Sequence, residues 1–473
     1  MYYFFGCLQA ISTCQMQIIG IFMTEAAEEL LNFWQRHCDP YAPDAGDLIT
    51  KHPDILRNWL LLHMSADSYM QDSADSYRNG PSPLPLHVHH FTNILSSIRP
   101  LLIDLYNGNL TTDLSASEDW QNLHHLTQTI PPEELYTQVQ EIITQKSQAF
   151  IRGLLQYHTF PYHRQHSLDA QIIWECGSAK LYDYGAPDVD APRIFLIPSL
   201  INKPYILDLY DDQSLTGFLK KQGHHVFMLD WGAPLEEIEF SLEDYFQQRL
   251  LPAFNIVSQN GQHNISILGY CMGGIFALAL SQFFPINKTI LIATPWDFHA
   301  APESRHKFHT LLYEILTPFI EAYGCLPGQV TQALFYSLNP EGMFEKFERF
   351  MAMETAEKKM FFVALEDWAN DNINLAKPAA KQILKDWFKD NIPAGSGLDL
   401  GIGPITLTEN KVPTLIITGE KDRVVPHSMT KLLEQLLPQQ TSHHFHTGHT
   451  GLVVGELAKQ TIWPLIDNWL KNK

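Results

Sequence analysis

The sequence from about residue 166 to the C-terminus predicts an α/β fold, in which a mostly parallel sheet is covered by helices on both faces. Three observations predict it. Short β-branched runs alternate with helical stretches throughout this part of the chain. The runs are almost wholly apolar, as expected for parallel strands that are buried on both faces. Their alternation with helices indicates βαβ units with right-handed crossovers.

Five apolar runs give the expected strands. They are Ile194–Pro198, His225–Asp230, Asn264–Gly269, Thr289–Ala293 and Pro413–Gly419. Between about residues 294 and 405 the alternation stops, and a helical stretch rich in aromatic residues takes its place. Because the strand pattern returns at Pro413, this stretch is interpreted as a helical cap inserted over the edge of the sheet that holds the active site. The domain with its cap therefore covers residues 166–473.

Residues 24–165 are predicted to form a helical N-terminal domain. Apolar residues recur every three or four positions in Asp54–Tyr69 and in Pro132–Tyr157, and a Pro-Pro-Glu-Glu sequence marks the start of the second helix. Residues 1–23 carry no charge, which raises the possibility of a membrane anchor. A buried helix, or an upstream start codon with Met16 or Met23 as the true initiator, is the preferred interpretation, because glutamines dilute the run and no basic segment precedes it.

The overall composition excludes some classes of function. A formal net charge of −20 argues against a nucleic-acid partner, because phosphates would be repelled over most of the surface. The six cysteines show no CxxC pair, so we expect neither a disulfide framework nor a zinc site, and a reducing cytoplasm fits best. His87, His89 and His90 resemble a metal cluster but have no suitably spaced partner, so no metal is predicted.

The strongest chemical pattern is Gly269-Tyr270-Cys271-Met272-Gly273, which joins an apolar strand to a helix of small residues. This is the Gly-x-nucleophile-x-Gly elbow of the α/β-hydrolase fold, with cysteine in the usual place of serine. The glycines allow the flanking backbone to approach closely, and the helix N-terminus favours a thiolate and a developing oxyanion. Cys271 is therefore predicted to be the nucleophile.

The acid and the histidine of the triad should follow in that order along the chain. Asp422 lies in a turn after the run Pro413–Gly419, and His449 lies between Gly448 and Gly451 beyond the short strand Ser442–Phe445. His449 is preferred because its small neighbours let the ring reach across the sheet edge. The competing candidates in the same segment are His443, His444 and His446.

The backbone N–H groups that would bind the oxyanion are expected at two places. One is Met272, the residue that follows the nucleophile, and the other lies just after the first core strand, at Leu200 or Ile201. The sequence does not choose between these two residues.

Several motifs beyond the elbow resemble those of polyhydroxyalkanoate synthases, from about Trp174 to the end. They stand in the same order along the chain. The matching segments are Ile197–Leu209, Met228–Pro234, Gly269–Gly274, Thr294–Phe298, the W-x-x-D of Trp368–Asp371, Gly419–Pro426 and Gly448–Gly451.

This resemblance implies that Cys271, Asp422 and His449 form the triad of an acyltransferase with no cofactor, which takes 3-hydroxyacyl-coenzyme A as substrate and makes a polyester. It also implies a cytoplasmic homodimer at the surface of polyester granules and, for the shorter members, a small accessory subunit. Those members lack a large N-terminal domain, whereas this chain has residues 24–165 there. The alternative is a hydrolase, either a thioesterase or a polyester depolymerase, with the same triad.

Overall fold

The computed structural model describes residues 78, 80, 81, 103, 106, 107, 125, 127, 130–164, 170–188, 190–234, 236–261, 265–300, 303–338, 342–395 and 397–472. The uncharged leader at residues 1–23 and the histidine-rich segment at residues 87–90 lie outside them, as does nearly all of the predicted N-terminal domain before residue 130. Among the described residues, no helix combines the length and the apolar character that a bilayer span requires.

The chain divides into two compact units. The first consists of Met1–His163 and Ala333–Val363, and the second of Arg164–Gln332 and Ala364–Lys473. The second unit contains an eight-stranded sheet. Its strands are β1 (Gln171–Cys176), β2 (Ala179–Asp183), β3 (Arg193–Ile197), β4 (His225–Asp230), β5 (Ile265–Tyr270), β6 (Ile286–Ile292), β9 (Thr414–Gly419) and β10 (Gln440–Phe445). A small antiparallel pair, β7 (Cys325–Leu326) and β8 (Leu375–Ala376), is separate from it.

The strand order of the large sheet is β1-β2-β4-β3-β5-β6-β9-β10. Strand β2 pairs antiparallel with both of its neighbours, and the pairs from β4 to β10 are parallel. The order reverses between β3 and β5, which opens a crevice at the carboxyl ends of these strands. The predicted parallel sheet is confirmed, and β4 has the predicted bounds.

Helices connect and cover the strands. In the described part of the chain they are α1 (Pro132–Thr159), α2 (Leu215–Lys221), α3 (Leu242–Tyr245), α4 (Leu251–Val257), α5 (Gly273–Phe283), α6 (Glu303–Tyr323), α7 (Gly328–Ser337), α8 (Gly342–Ala352), α9 (Ala356–Asn370), α10 (Lys377–Gln382), α11 (Ile392–Gly395), α12 (His427–Leu436) and α13 (Trp463–Lys471). The stretch from α6 to α11 confirms that the chain between about residues 294 and 405 is helical.

The hairpin of β1 and β2 is missing from the sequence prediction. A two-residue turn at Gly177 and Ser178 joins its strands, and Gly177 has a positive φ of 58°. Gly-Ser between two short strands is a hairpin signal that could have been used. The missing alternation has a physical reason: β1 is an edge strand, its register shifts between Ile172 and Trp174, and Ile172 and Ile173 are both substantially exposed.

The described part of the first unit is built around α1. This helix begins at Pro132 with Glu133 and Glu134 in its first turn, which suits the fixed φ of proline and the helix dipole. Aromatic rings then pack edge to face, with centroids 5.5 Å apart for Phe150 and Phe347 and 5.7 Å apart for Phe347 and Phe362. Phe362, which the sequence assigned to the cap, therefore packs inside the first unit.

Candidate active site

Cys271 lies at the tip of the sharp turn between β5 and α5. Its φ is +55°, a left-handed conformation that a non-glycine residue adopts only when its surroundings enforce it. The backbone N–H of Cys271 donates to the carbonyl of Ile292 at 2.8 Å, which fixes the turn against β6. The side chain is 8% exposed. The strained turn thus presents the sulfur at the carboxyl edge of the sheet, as the elbow pattern predicts.

The glycines of the elbow are required by close approach of other atoms. A Cβ atom on Gly273 would lie 2.0 Å from the carbonyl oxygen of Ile197 at the end of β3. One on Gly269 would lie 2.4 Å from the Cα of Gly274, and one on Gly274 would lie 1.9 Å from Oγ1 of Thr294. No Cβ atom fits at these distances, so this turn can form only with glycine at positions 269, 273 and 274.

Asp422 follows β9 through a short turn that points its carboxylate at the histidine loop. Its Oδ1 accepts the backbone N–H groups of Val424 and Val425, at 2.9 and 2.8 Å. Its Oδ2 accepts from Nδ1 of His449 at 2.7 Å, and the carboxylate is fully buried. Because each oxygen has a donor, the buried charge is compensated and the carboxylate orientation is fixed.

His449 follows β10 and lies between the carboxylate and the thiol. Its Nδ1 donates to Asp422, and the thiol of Cys271 lies close enough to the ring to contribute to its raised pKa. Tyr270 packs its ring against the imidazole at a centroid distance of 5.1 Å, and its hydroxyl donates to the His449 carbonyl at 3.4 Å. The structure therefore brings the three predicted residues together. The sequence did not identify Tyr270, although its place beside the nucleophile could have suggested it.

The competing histidines have other partners. His446 Nδ1 lies 2.8 Å from Oε2 of Glu420 on the exposed surface. His444 Nδ1 lies 2.7 Å from the hydroxyl of Thr418. The ring of His443 stacks at 6.4 Å on Phe445, its neighbour on the same face of β10. The structure therefore favours His449 among the four.

The pKa of His449 is raised from 6.5 to about 10. Burial by itself lowers the pKa, but the charge of Asp422, the charge of Cys271 and hydrogen bonds to both side chains outweigh it. The folded state thus holds a proton on this ring more tightly than the unfolded chain does. Its contribution to stability is complete below about pH 6.5 and is lost as the pH rises through about 10.

We expect the His449 ring to remain an imidazolium at about pH 8, where an unperturbed histidine is neutral. Nitrogen-15 NMR of ring-labelled histidine measures this directly. In the Asp422→Asn variant the ring should become neutral at that pH, because the charge of Asp422, the largest of the contributions that raise the pKa of His449, is gone. A neutral His449 signal in the unmodified protein at that pH would contradict the assigned electrostatics.

The two candidate oxyanion donors of the β3 loop differ in their hydrogen bonding. The N–H of Ile201 donates to Oγ of Ser199 at 3.3 Å, while Leu200 is buried beside it. The loop that carries them leaves β3 at Ile197, whose carbonyl approaches Gly273. Met272 begins the turn into α5 with helical dihedrals. All three residues thus lie on elements that converge at the elbow.

The C-terminal end of α9 and the residue that follows it hold the same loop through two polar contacts. The indole N–H of Trp368 donates to the carbonyl of Lys203 at 2.8 Å, and the hydroxyl of Tyr205 donates to Oδ2 of Asp371 at 3.1 Å. Burial and the charge of Asp371 raise the pKa of the Tyr205 phenol, so its proton stays in place for this bond. The W-x-x-D sequence therefore has a structural role in holding the loop after β3.

An aromatic cluster lies in the second unit beside the segment after β6. Phe298 stacks on Trp387 at 5.7 Å and contacts Phe388 at 5.5 Å. Phe298 and Trp387 are almost fully buried. The backbone N–H of Phe298 donates to Asn391, which in turn donates to Asp297 at 2.8 Å. The part of the insertion between α10 and α11 is thereby tied to the segment after β6.

Comparison with known proteins agrees with this architecture. The family model for the alpha/beta hydrolase fold matches residues 216–456. A poly(3-hydroxyalkanoate) polymerase subunit PhaC of Haloferax mediterranei is 30% identical over 316 residues, which cover 64% of this chain and 64% of that protein. The subunit PhaC of Allochromatium vinosum is 26% identical over 315 residues, which cover 64% of this chain and 88% of that protein.

Among solved structures, a monoacylglycerol lipase of Paleococcus ferrophilus is 14% identical, with a TM-score of 0.41 and coverage of 62% of this chain and 98% of that one. The match to the Haloferax protein covers 64% of that protein, so this chain spans just under two thirds of its length. The curated relatives bear out the resemblance to polyhydroxyalkanoate synthases.

Proposed function

The chain belongs to the alpha/beta hydrolase fold family, and within it we propose an acyltransferase that polymerises 3-hydroxyacyl groups from coenzyme A thioesters into a polyester. The observation that carries this proposal is the arrangement of Cys271, His449 and Asp422 at the carboxyl edge of the sheet, in which His449 donates to the buried carboxylate of Asp422. Relatives that match 64% of the chain are named poly(3-hydroxyalkanoate) polymerase subunits, which favours polymer synthesis among the reactions a cysteine triad performs.

The first step of the proposed cycle is transfer of the Cys271 thiol proton to His449. The raised pKa of His449 favours this transfer, because the ring holds the proton that it takes from the thiol. The thiolate attacks the carbonyl carbon of the thioester and forms a tetrahedral oxyanion. When this intermediate collapses, the bond to the sulfur of coenzyme A breaks, and that sulfur takes the proton from His449. The products are free coenzyme A, an acyl-cysteine and a neutral imidazole.

The second half of the cycle transfers the acyl group to oxygen. Neutral His449, oriented by Asp422, accepts the proton of an incoming 3-hydroxyl while its oxygen attacks the acyl-cysteine carbonyl. The carbon–sulfur bond breaks and the thiolate returns beside an imidazolium, so the site is ready again. The first exchange, thioester for thioester, is nearly balanced in energy. The second is downhill because an oxygen ester is more stable than a thioester.

Two features of the site support the chemistry. We assign the oxyanion to the backbone N–H of Met272 and one N–H of the loop at Leu200 or Ile201, which would stabilise the negative oxygen of both intermediates. The cluster of Phe298, Trp387 and Phe388, of which Phe298 and Trp387 are buried, would restrict water, which otherwise hydrolyses the acyl-cysteine.

The substrate, partners and location follow from the proposed reaction. We propose 3-hydroxybutyryl-coenzyme A as the preferred substrate and no cofactor beyond that thioester. The protein would act in the cytoplasm, at the surface of the growing polyester granule. A homodimer and a small accessory subunit are part of the same proposal, and the word "subunit" in the names of the relatives supports the second.

The test is to incubate the purified protein with 3-hydroxybutyryl-coenzyme A and to follow both free thiol and the acyl product. Thiol release with insoluble polymer is the expected result. Thiol release with only free 3-hydroxybutyrate would replace the synthase by a hydrolase. No thiol release, with or without candidate accessory subunits, would overturn the acyltransferase proposal.

The loop after β3 gives a further prediction. Tyr205→Phe removes the hydroxyl that binds Asp371 but keeps the ring, so the loop with Leu200 and Ile201 loses one anchor. We expect thiol release to slow by about 10- to 100-fold, since a small misplacement of an oxyanion donor is costly. The control is Tyr323→Phe on the exposed surface. Equal rates in the two variants would remove Asp371 and Tyr205 from the positioning of this loop.

A further inference from the structure

Two histidines and one glutamate meet on the face of the second unit where α12 packs on β10. His427 and Glu434 are separated by seven residues of α12, two helical turns, and therefore share one face of the helix. Nε2 of His427 lies 3.0 and 3.1 Å from the two carboxylate oxygens of Glu434. Nε2 of His444, on β10, lies 3.9 Å from Oε1 of the same carboxylate.

The three ligand atoms lie within 4.8 Å of one another. In a tetrahedral zinc site the bonds are about 2.0–2.2 Å long, which puts ligand atoms about 3.4 Å apart. The separations of both imidazole nitrogens from the carboxylate are close to this value. Small rotations of the side chains would therefore suffice to place one ion between the three groups.

The surroundings of the cluster hold its ligands in suitable orientations. The hydroxyl of Thr418 on β9 lies 2.7 Å from Nδ1 of His444, so the opposite ring nitrogen faces Glu434. Such a partner on the distal nitrogen is typical of metal-bound histidine. Gln440 donates to the backbone carbonyl of Glu434 at 3.0 Å and ties the end of α12 to the start of β10. Glu434 is only 15% exposed.

We propose that His427, Glu434 and His444 bind one Zn²⁺ ion, with the fourth position of the tetrahedron open to water. Two imidazoles and a single carboxylate match the ligand preference of zinc and not that of Mg²⁺ or Ca²⁺, which take mostly oxygen ligands. The net charge of −20 also favours a cation at the surface. His427 and Glu434 lie on α12 and His444 lies on β10, so the spacing along the sequence does not show that the three residues meet.

The site lies on the two elements, α12 and β10, that adjoin the loops carrying the acid and the histidine of the triad. The turn with Asp422 joins β9 to α12, and the loop with His449 follows β10. A bound ion would cross-link α12 to β10 at their ends and thereby restrain both loops. We assign it this structural role, outside the reaction itself.

The test is a titration of the full-length, metal-free protein with Zn²⁺ against a chromophoric chelator. The unmodified chain should bind one equivalent of Zn²⁺ more than either the Glu434→Gln or the His444→Gln variant does. Either substitution should weaken the affinity of this site for Zn²⁺ by more than about 100-fold. Thr418→Val keeps the shape of the side chain and removes the distal partner of His444, so affinity should fall about 10- to 100-fold. Co²⁺ should give the intense visible bands of a four-coordinate ion in the unmodified chain and lose them in Glu434→Gln.

The matched control is His446→Gln, since His446 lies just beyond β10 and forms an exposed pair with Glu420. It should bind as many equivalents as the unmodified chain. Circular dichroism in metal-free buffer checks that each variant folds. If Glu434→Gln and His444→Gln titrate like the unmodified chain, or if His446→Gln loses the same equivalent, the site does not exist. The readout is metal binding, so its outcome is separate from that of the polymerisation assay.

Discussion

Replacing Cys271 with alanine should lower the rate of thiol release from 3-hydroxybutyryl-coenzyme A by about 10⁴- to 10⁶-fold, as loss of a triad nucleophile does elsewhere. The covalent intermediate cannot form without the sulfur, and the remaining groups can only polarise the thioester. The fold should survive, because alanine tolerates the positive φ of 55° no worse than cysteine and fits in the same space.

The measurement is thiol release together with a thermal melting curve for each protein. Cys325→Ala is the matched control, since Cys325 is a free cysteine in β7 and belongs to no part of the triad. It should retain normal turnover. Near-normal turnover in Cys271→Ala would remove the central assignment of this site.

Replacing His449 with alanine should cost several orders of magnitude in the same assay, about 10⁴-fold or more. The variant loses both the base that activates the incoming hydroxyl and the proton donor for the departing coenzyme A. It also leaves the buried carboxylate of Asp422 without the donor that now lies at 2.7 Å, which should lower the melting temperature.

His446→Ala is the control for this variant, because it removes a nearby histidine of the same segment that is 70% exposed and paired with Glu420. Its turnover should be unchanged. A mild effect of His449→Ala together with a large effect of His446→Ala would transfer the base role to His446.

The sheet was predictable because its strands are buried on both faces. Strands β3, β5 and β9 are almost entirely buried, so every position selects an apolar residue and the run stands out. The bounds of β6 were less certain, since it begins three residues earlier, at Ile286, with an exposed Asn287. The edge strand β1 is not predicted from the sequence, because its side chains are mostly exposed and do not alternate between apolar and polar residues.

The nucleophile was predictable for a steric reason. Gly269, Gly273 and Gly274 each have neighbouring atoms where a Cβ would lie, so the turn leaves a fixed spacing of glycines around Cys271 in the sequence. The choice of histidine was weaker, because four histidines occur within seven positions and local sequence ranks them only by the size of their neighbours. The hydrogen bond between Nδ1 of His449 and Asp422 distinguishes His449 from the other three histidines.

The sequence by itself determined the parallel sheet, the helical insertion and the position of the cysteine, because burial and steric exclusion act locally and leave a periodic or fixed pattern of residue types. The tertiary structure decided which histidine meets Asp422, how Trp368 and Asp371 hold the loop after β3, and that His427, Glu434 and His444 lie together. Apart from the pair of His427 and Glu434 within α12, these contacts join residues from different elements. Their distances depend on how the strands and helices pack, which residue spacing along the chain does not show.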